Sequence, residues 1–148
     1  MLLITGHSHI DAEFIKPYVE ITNVCQKFEM VDTTEEGWLR ISGYIDGMRV
    51  PERAEGTYTE DAWTICVLKP DSKELDMIRF GAGIDRYIHY DPISSGTLTT
   101  RFSSATWYTS DSDVATVSDG VVTITGTGRC AIYAKDSDGN IEIWVIEA

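Results

Sequence analysis

Near the amino end two imidazoles and a carboxylate stand at alternate positions, in His7-Ser8-His9-Ile10-Asp11. On an extended chain, residues two apart point the same way, so His7, His9 and Asp11 could together hold a zinc ion and, through it, an activated water. A hydrolytic centre of that kind needs further donors, and the chain has only one more histidine, His89. Three imidazole ligands therefore require His89 to fold back onto the amino end. The plainer expectation is an exposed turn in which Ser8 caps a helix. The reading is no resident metal and no cofactor, with a small metal-dependent hydrolase on His7, His9 and Asp11 held as a third alternative.

Other chemistry-bearing groups are weaker. Asp111-Ser112-Asp113 and Asp136-Ser137-Asp138-Gly139-Asn140 gather the oxygens that hard cations favour. They lack the glycine offset and distal glutamate of a calcium loop, and they read as inter-strand turns. There is no Gly-x-Ser-x-Gly and no phosphate loop, and Gly81-Ala82-Gly83 lacks the third glycine of a dinucleotide site. Tyr87, Tyr90 and Trp144 would make a carbohydrate platform if exposed, although aromatics alternating along strands usually face a core. Cys25, Cys66 and Cys130 each sit among apolar neighbours and read as buried thiols, with a Cys25–Cys66 bridge left open. No catalytic residue is assigned.

The elements that would position these groups differ along the chain. Residues 94–148 hold nine threonines, no proline and one leucine, a composition that favours strands. Runs at Thr97–Phe102, Thr106–Thr109, Val114–Val117, Val121–Thr125, Arg129–Lys135 and Ile141–Ile146 alternate with Ser/Asp/Gly turns. In the last run Ile141, Ile143 and Val145 face one way and Glu142 and Trp144 the other, which predicts one dry face and one wet one. Gly120 and Gly139, each after Asp or in an Asp-Gly pair, suit the positive φ of hairpin turns. Residues 1–69 are less regular. Ile10, Phe14, Tyr18, Ile21, Cys25 and Phe28 recur at helical steps, which Pro17 interrupts, while Val19, Ile21, Thr22 and Val24 keep a strand open. Strands are expected at Gly37–Ile45 and Trp63–Leu68, with a hairpin at Asp46-Gly47 and an exposed loop from Pro51 to Glu60.

The stretch from Trp107 through Ser110-Asp111-Ser112-Asp113, Val114-Ala115-Thr116-Val117 and Asp119-Gly120 to Gly126-Thr127-Gly128-Arg129-Cys130-Ala131-Ile132-Tyr133-Ala134 resembles the group-2 bacterial immunoglobulin-like domain. The match extends more loosely back to about residue 70, through Leu75, Gly83, Ile88 and Pro92. Cys130 departs from it, standing where the family has a small alanine. The fold class expected is mostly β: an immunoglobulin-like β-sandwich over residues 70–148 and a small α+β or mostly-β unit over residues 1–69. Trp107 would wedge between two sheets lined by Val114, Val117, Cys130, Ile132 and Ala134.

Charge bounds the partners. Against 24 acidic residues stand 12 basic ones, for a net charge of −12, so the surface repels phosphate and anionic lipid and nucleic acid is not expected. No apolar run reaches the roughly 20 residues of a membrane span, and the amino end lacks a basic export leader. The resemblance implies a protein displayed on bacterial surface adhesins or on tailed phage particles. With no leader, the expectation is a non-enzymatic virion protein (decoration, neck or tail) that partners other virion proteins and homo-oligomerises in a symmetric particle. Residues 1–69 would form its attachment and oligomerisation unit, with Phe14, Tyr18, Trp38, Leu39 and Tyr44 at the interface. The projecting domain would be free for weak glycan contacts. The alternative is a bacterial cell-surface adhesin or carbohydrate-binding module.

Overall fold

The computed structural model describes three short segments near the amino end, Leu2–Thr5 (β1), Ala12–Ile15 (β2) and Val19–Thr22 (β3), together with Ala54 and residues 56–148. Every regular element among the described residues is a strand, and the fold is mostly β and sandwich-like. The chain divides into two compact units, Met1–Ile65 with Ile78–Gly83, and Cys66–Met77 with Ile84–Ala148. The two units interleave along the chain, residues 78–83 returning to the first.

In the first unit β3 lies between β1, to which it runs parallel, and β2, to which it runs antiparallel. Val19 and Ile21 are buried on one side of β3. The helical stripe through Phe14 and Ile21 is therefore corrected to two strands flanking Pro17. The proline removes a helical N–H, and Val19, Ile21 and Thr22 have the branched side chains that prefer a pleated backbone. Strands β4 (Ala62–Lys69) and β5 (Glu74–Gly81) each pass from one unit into the other. At the first unit's end of this hairpin Trp63 stacks on Phe80, with ring centroids 4.3 Å apart. Gly81 there has φ +84°, and a Cβ on it would collide with the Asp61 carbonyl.

The second unit adds β6 (Arg86–Ile93), β7 (Gly96–Thr97), β8 (Thr106–Thr109), β9 (Ala115–Ser118), β10 (Val121–Ile124), β11 (Arg129–Lys135) and β12 (Ile141–Glu147). The larger sheet has the order β4-β5-β6-β12-β11-β8, the smaller β7-β10-β9. β6 and β12 are parallel, and their register shifts between Trp144 and Ile146, opposite the stretch of β6 that holds Pro92. A proline cannot donate to the ladder, so an irregularity at that point is the expected local answer. β9 and β10 are joined by Asp119-Gly120 with φ of 46° and 80°, a two-residue turn with positive φ at both positions. Val114, Ala115 and Val122 from the smaller sheet and its approach pack with Cys130, Ile132 and Ile146 of the larger. Trp107, Val117, Ile93 and Leu98 border this cluster, and Ala134 is fully buried.

Two expectations are corrected here. The strand proposed over Thr97–Phe102 stops at Thr97, because Thr100 and Arg101 are drawn into hydrogen bonds with a side chain of β12 described below. The predicted wet face of β12 does not exist: every residue from Ile141 to Ile146 is buried, Glu142 and Trp144 included. β12 lies at the centre of its sheet, where alternation of polarity no longer marks alternation of exposure.

Candidate functional site

Strand register places six polar or aromatic side chains on one face of the larger sheet. Glu74 of β5 pairs with His89 of β6, Asp76 with Tyr87, and on the other side Tyr87 and His89 pair with Glu142 and Trp144 of β12. Glu142, only 2% exposed, is the hub. Its Oε1 faces His89 Nε2 at 2.7 Å and accepts from Arg101 Nε at 3.2 Å. Its Oε2 accepts from the Thr100 hydroxyl at 2.8 Å and from the Arg101 backbone N–H at 2.9 Å. Burial pushes this carboxyl up, but the hydrogen bonds from His89, the Arg101 backbone and Thr100, with the Arg101 charge, outweigh it and hold it below the ordinary glutamate value.

Around the hub each group has further partners. His89 turns Nδ1 toward Glu74 at 3.4 Å and lays its ring flat on Trp144 (4.9 Å, 5°), which in turn stacks on Trp107 at 5.5 Å. The Arg101 guanidinium sits 3.8 Å over the Tyr87 ring and 3.6 Å from Asp76. Tyr87 donates to Asp85 at 3.1 Å, and burial, then the Asp85 charge and hydrogen bond, raise its phenol to about 12. Lys69 closes the edge with ion pairs to Asp76 at 2.6 Å and Glu74 at 3.4 Å, and the Asp76 hydrogen bond above all keeps its ammonium above the ordinary lysine value.

A histidine, a buried glutamate and an arginine together invite an acid–base reading. The geometry gives them other work. Both ring nitrogens of His89 are directed at carboxylates and both oxygens of Glu142 are occupied, so neither group is left to take a proton from a substrate. The arrangement ties β5, β6, β12 and the segment around Thr100 into one block.

Beside it, still within the second unit, is a cleft of about 480 Å³. Asp71, Ser72 and Lys73, from the β4–β5 turn, form one bank, and Thr97 and Thr99 contribute hydroxyls. His89 and the edge of Trp144 line it as well, with Asp91, Ile93 and Leu98. The turn is anchored where the Tyr90 N–H donates to the Lys73 carbonyl at 3.0 Å, and Lys73 holds a left-handed φ of 57°.

Of the residues singled out from the sequence, His7, His9, Asp11, Tyr18, Trp38, Leu39 and Tyr44 lie outside the described residues, as does Cys25. Phe14 falls within β2. His89 is held between Glu74 and Glu142. Val114, Cys130, Ile132 and Ala134 are buried, and Trp107 and Val117 pack against the same cluster. Cys130 is a free thiol whose pKa burial raises, whereas Cys66 is exposed on β4, contrary to the buried reading. The aromatic platform is also corrected: Trp144 is 6% exposed, and Arg101 covers the Tyr87 ring. Asp136 spends both oxygens on its own turn, accepting from the Asp138 and Asn140 N–H groups and from the Asn140 side chain. Sequence reasoning missed Glu142, Thr100 and Arg101. The available signal was a lone carboxylate inside the otherwise apolar run from Ile141 to Ile146.

Fold and site together define a mostly-β, sandwich-like protein whose central charged cluster is internally paired. Compared with family models, with curated proteins and with solved structures, the chain matches none.

Proposed function

We propose that the chain is a non-enzymatic structural protein of a tailed phage particle, a decoration, neck or tail component, whose second unit is a projecting immunoglobulin-like domain. The observation that carries this reading is the spent state of the His89–Glu142–Arg101 cluster. Its hydrogen-bonding capacity is directed inward, where it stiffens a sandwich and offers no group for chemistry. A rigid, acidic module that repels nucleic acid suits the outside of a DNA-filled particle. Attachment and self-association are given to residues 1–69, with Phe14, Tyr18, Trp38, Leu39 and Tyr44 at the contacts, and the projecting domain makes weak contacts with the host surface.

The test is particle composition. Density-purified phage from the source strain, analysed by quantitative mass spectrometry and by labelling with an antibody to the chain, is expected to contain it at a fixed copy number. Recovery only in a cell-surface fraction would replace this reading with the adhesin alternative.

A further inference from the structure

We infer that the cleft beside His89 is a binding site for an uncharged saccharide, one or two pyranose units long. The inference rests on the preceding reading for its biological setting, a host-surface contact, but not for its test, which uses purified chain alone.

Side chains are used in two contrasting ways in this unit. In the charged cluster every group named is paired with a neighbour. On the cleft's rim Asp71, Ser72, Lys73, Asp91, Thr97 and Thr99 are side chains with no hydrogen bond or ion pair to another described residue. Two carboxylates that only accept, one ammonium that only donates, and three hydroxyls that do both form a mixed array suited to the hydroxyl ring of a sugar. Ile93, Leu98 and the Trp144 edge supply an apolar wall for the C–H face, and 480 Å³ is within the usual range of small-molecule sites. Charge selects among sugars. Two carboxylates against one ammonium, on a chain of net charge −12, disfavour sialic and uronic acids and phosphorylated glycans.

The walls are also pre-formed. The His89 ring is fixed by the Nε2 contact to Glu142, with Nδ1 facing Glu74 and the ring stacked on Trp144. The Asp71–Lys73 bank is fixed by the Tyr90-to-Lys73 backbone bond. A left-handed backbone is unfavourable at a non-glycine residue, and it is maintained here at the one cationic side chain of the rim. Little ordering remains to oppose binding.

The experiment is a titration of the full chain, followed by tryptophan fluorescence and by indole N–H chemical shifts. The probes are the methyl glycosides of glucose, galactose, mannose and N-acetylglucosamine, with maltose, lactose and chitobiose, and with sialic and glucuronic acids as the anionic arm. At least one neutral probe is expected to saturate at or below about 1 mM, a modest affinity for a small polar ligand. Asp91→Ala and Lys73→Ala, both on exposed residues, should each weaken it at least tenfold with an unchanged urea midpoint. Asp138→Ser, at an exposed residue that does not line the cleft, should change nothing. The inference is overturned if no neutral probe saturates below about 10 mM, if the anionic probes bind more tightly, or if the rim variants bind as the parent does. None of these outcomes touches the particle assignment, which composition alone decides.

Discussion

One face of the larger sheet is packed in two different ways along its strands. Toward Cys130, Ile132 and Ile146 it is closed by Val114, Ala115 and Val122 in an apolar layer. Toward Glu142 and His89 the same face is closed by Thr100 and Arg101 through hydrogen bonds and charge. The stacked rings of Trp107, Trp144 and His89 run between the two. The apolar half tolerates approximate shapes, because dispersion and burial are not directional. The charged half is all-or-nothing: complete, it fixes one arrangement of β6, β12 and the Thr100 segment, and with one member missing it leaves buried charge exposed to nothing.

The largest effect is therefore expected at the hub of the charged half. Glu142→Leu keeps the bulk but takes the acceptor away from His89 Nε2, the Thr100 hydroxyl and the backbone and side-chain N–H groups of Arg101, at about 1–3 kcal/mol for each donor left buried without a partner. Urea midpoints at pH 7 measure it. A loss below about 1 kcal/mol would make the cluster a passive bystander. In the apolar half, Ile132→Ala is expected to cost about 2–5 kcal/mol through lost burial and a cavity, and its cost should not change with pH between 4 and 7. A pH-dependent Ile132→Ala penalty would mean that the two halves are coupled through the ring stack.

The apolar half was legible in the sequence and the charged half was not, for a physical reason. Asp119-Gly120, the valines about it and the Cys130–Ala134 run announce themselves locally, since turn chemistry and strand alternation are short-range properties. Glu142 is positioned by partners about 40 and 53 residues away in the chain, and its burial follows from β12 being central, which no pattern within β12 reveals. Alternation predicted a wet face because it counts polarity and cannot see a distant arginine. The amino-terminal stripe failed differently: Phe14 and Ile21 satisfy a helical spacing by coincidence, and Pro17 with the β-branched Val19–Thr22 run decides for strands.

An intermediate effect is expected where the β9–β10 turn meets Leu98 and Trp107. A Cβ on Gly120 would lie 2.5 Å from the Leu98 carbonyl and 3.3 Å from the Trp107 ring, at φ +80°. Gly120→Ala should destabilise by about 1–3 kcal/mol through crowding and a left-handed backbone. It should also perturb the Trp107 near-ultraviolet dichroism. Gly56→Ala serves as the comparison, because nothing lies within 4 Å of its added methyl although its φ is also positive, at 73°. A Gly120 penalty no larger than that of Gly56 would show that Leu98 and Trp107 do not press on the turn.

The smallest effect separates the halves by acid. Glu142 is held below the ordinary glutamate value, so its carboxylate stabilises the folded chain most fully above the unfolded value of about 4.3. As pH falls below that value the unfolded chain takes up the proton first, and the contribution drains away until the folded value is also passed. Glu142→Gln carries no such proton. Its urea midpoint should lie below the parent's at pH 7, and the gap should narrow as pH is lowered from 5 toward 3. His89 and Arg101 face the hub, Glu74 and Asp76 pair with them and Lys69 with those two, and all five are common to both proteins, so the difference isolates the replacement at Glu142. A gap that stays constant with pH would place the carboxylate's contribution in shape rather than charge, and the distinction between the two halves of the sheet would then be one of packing only.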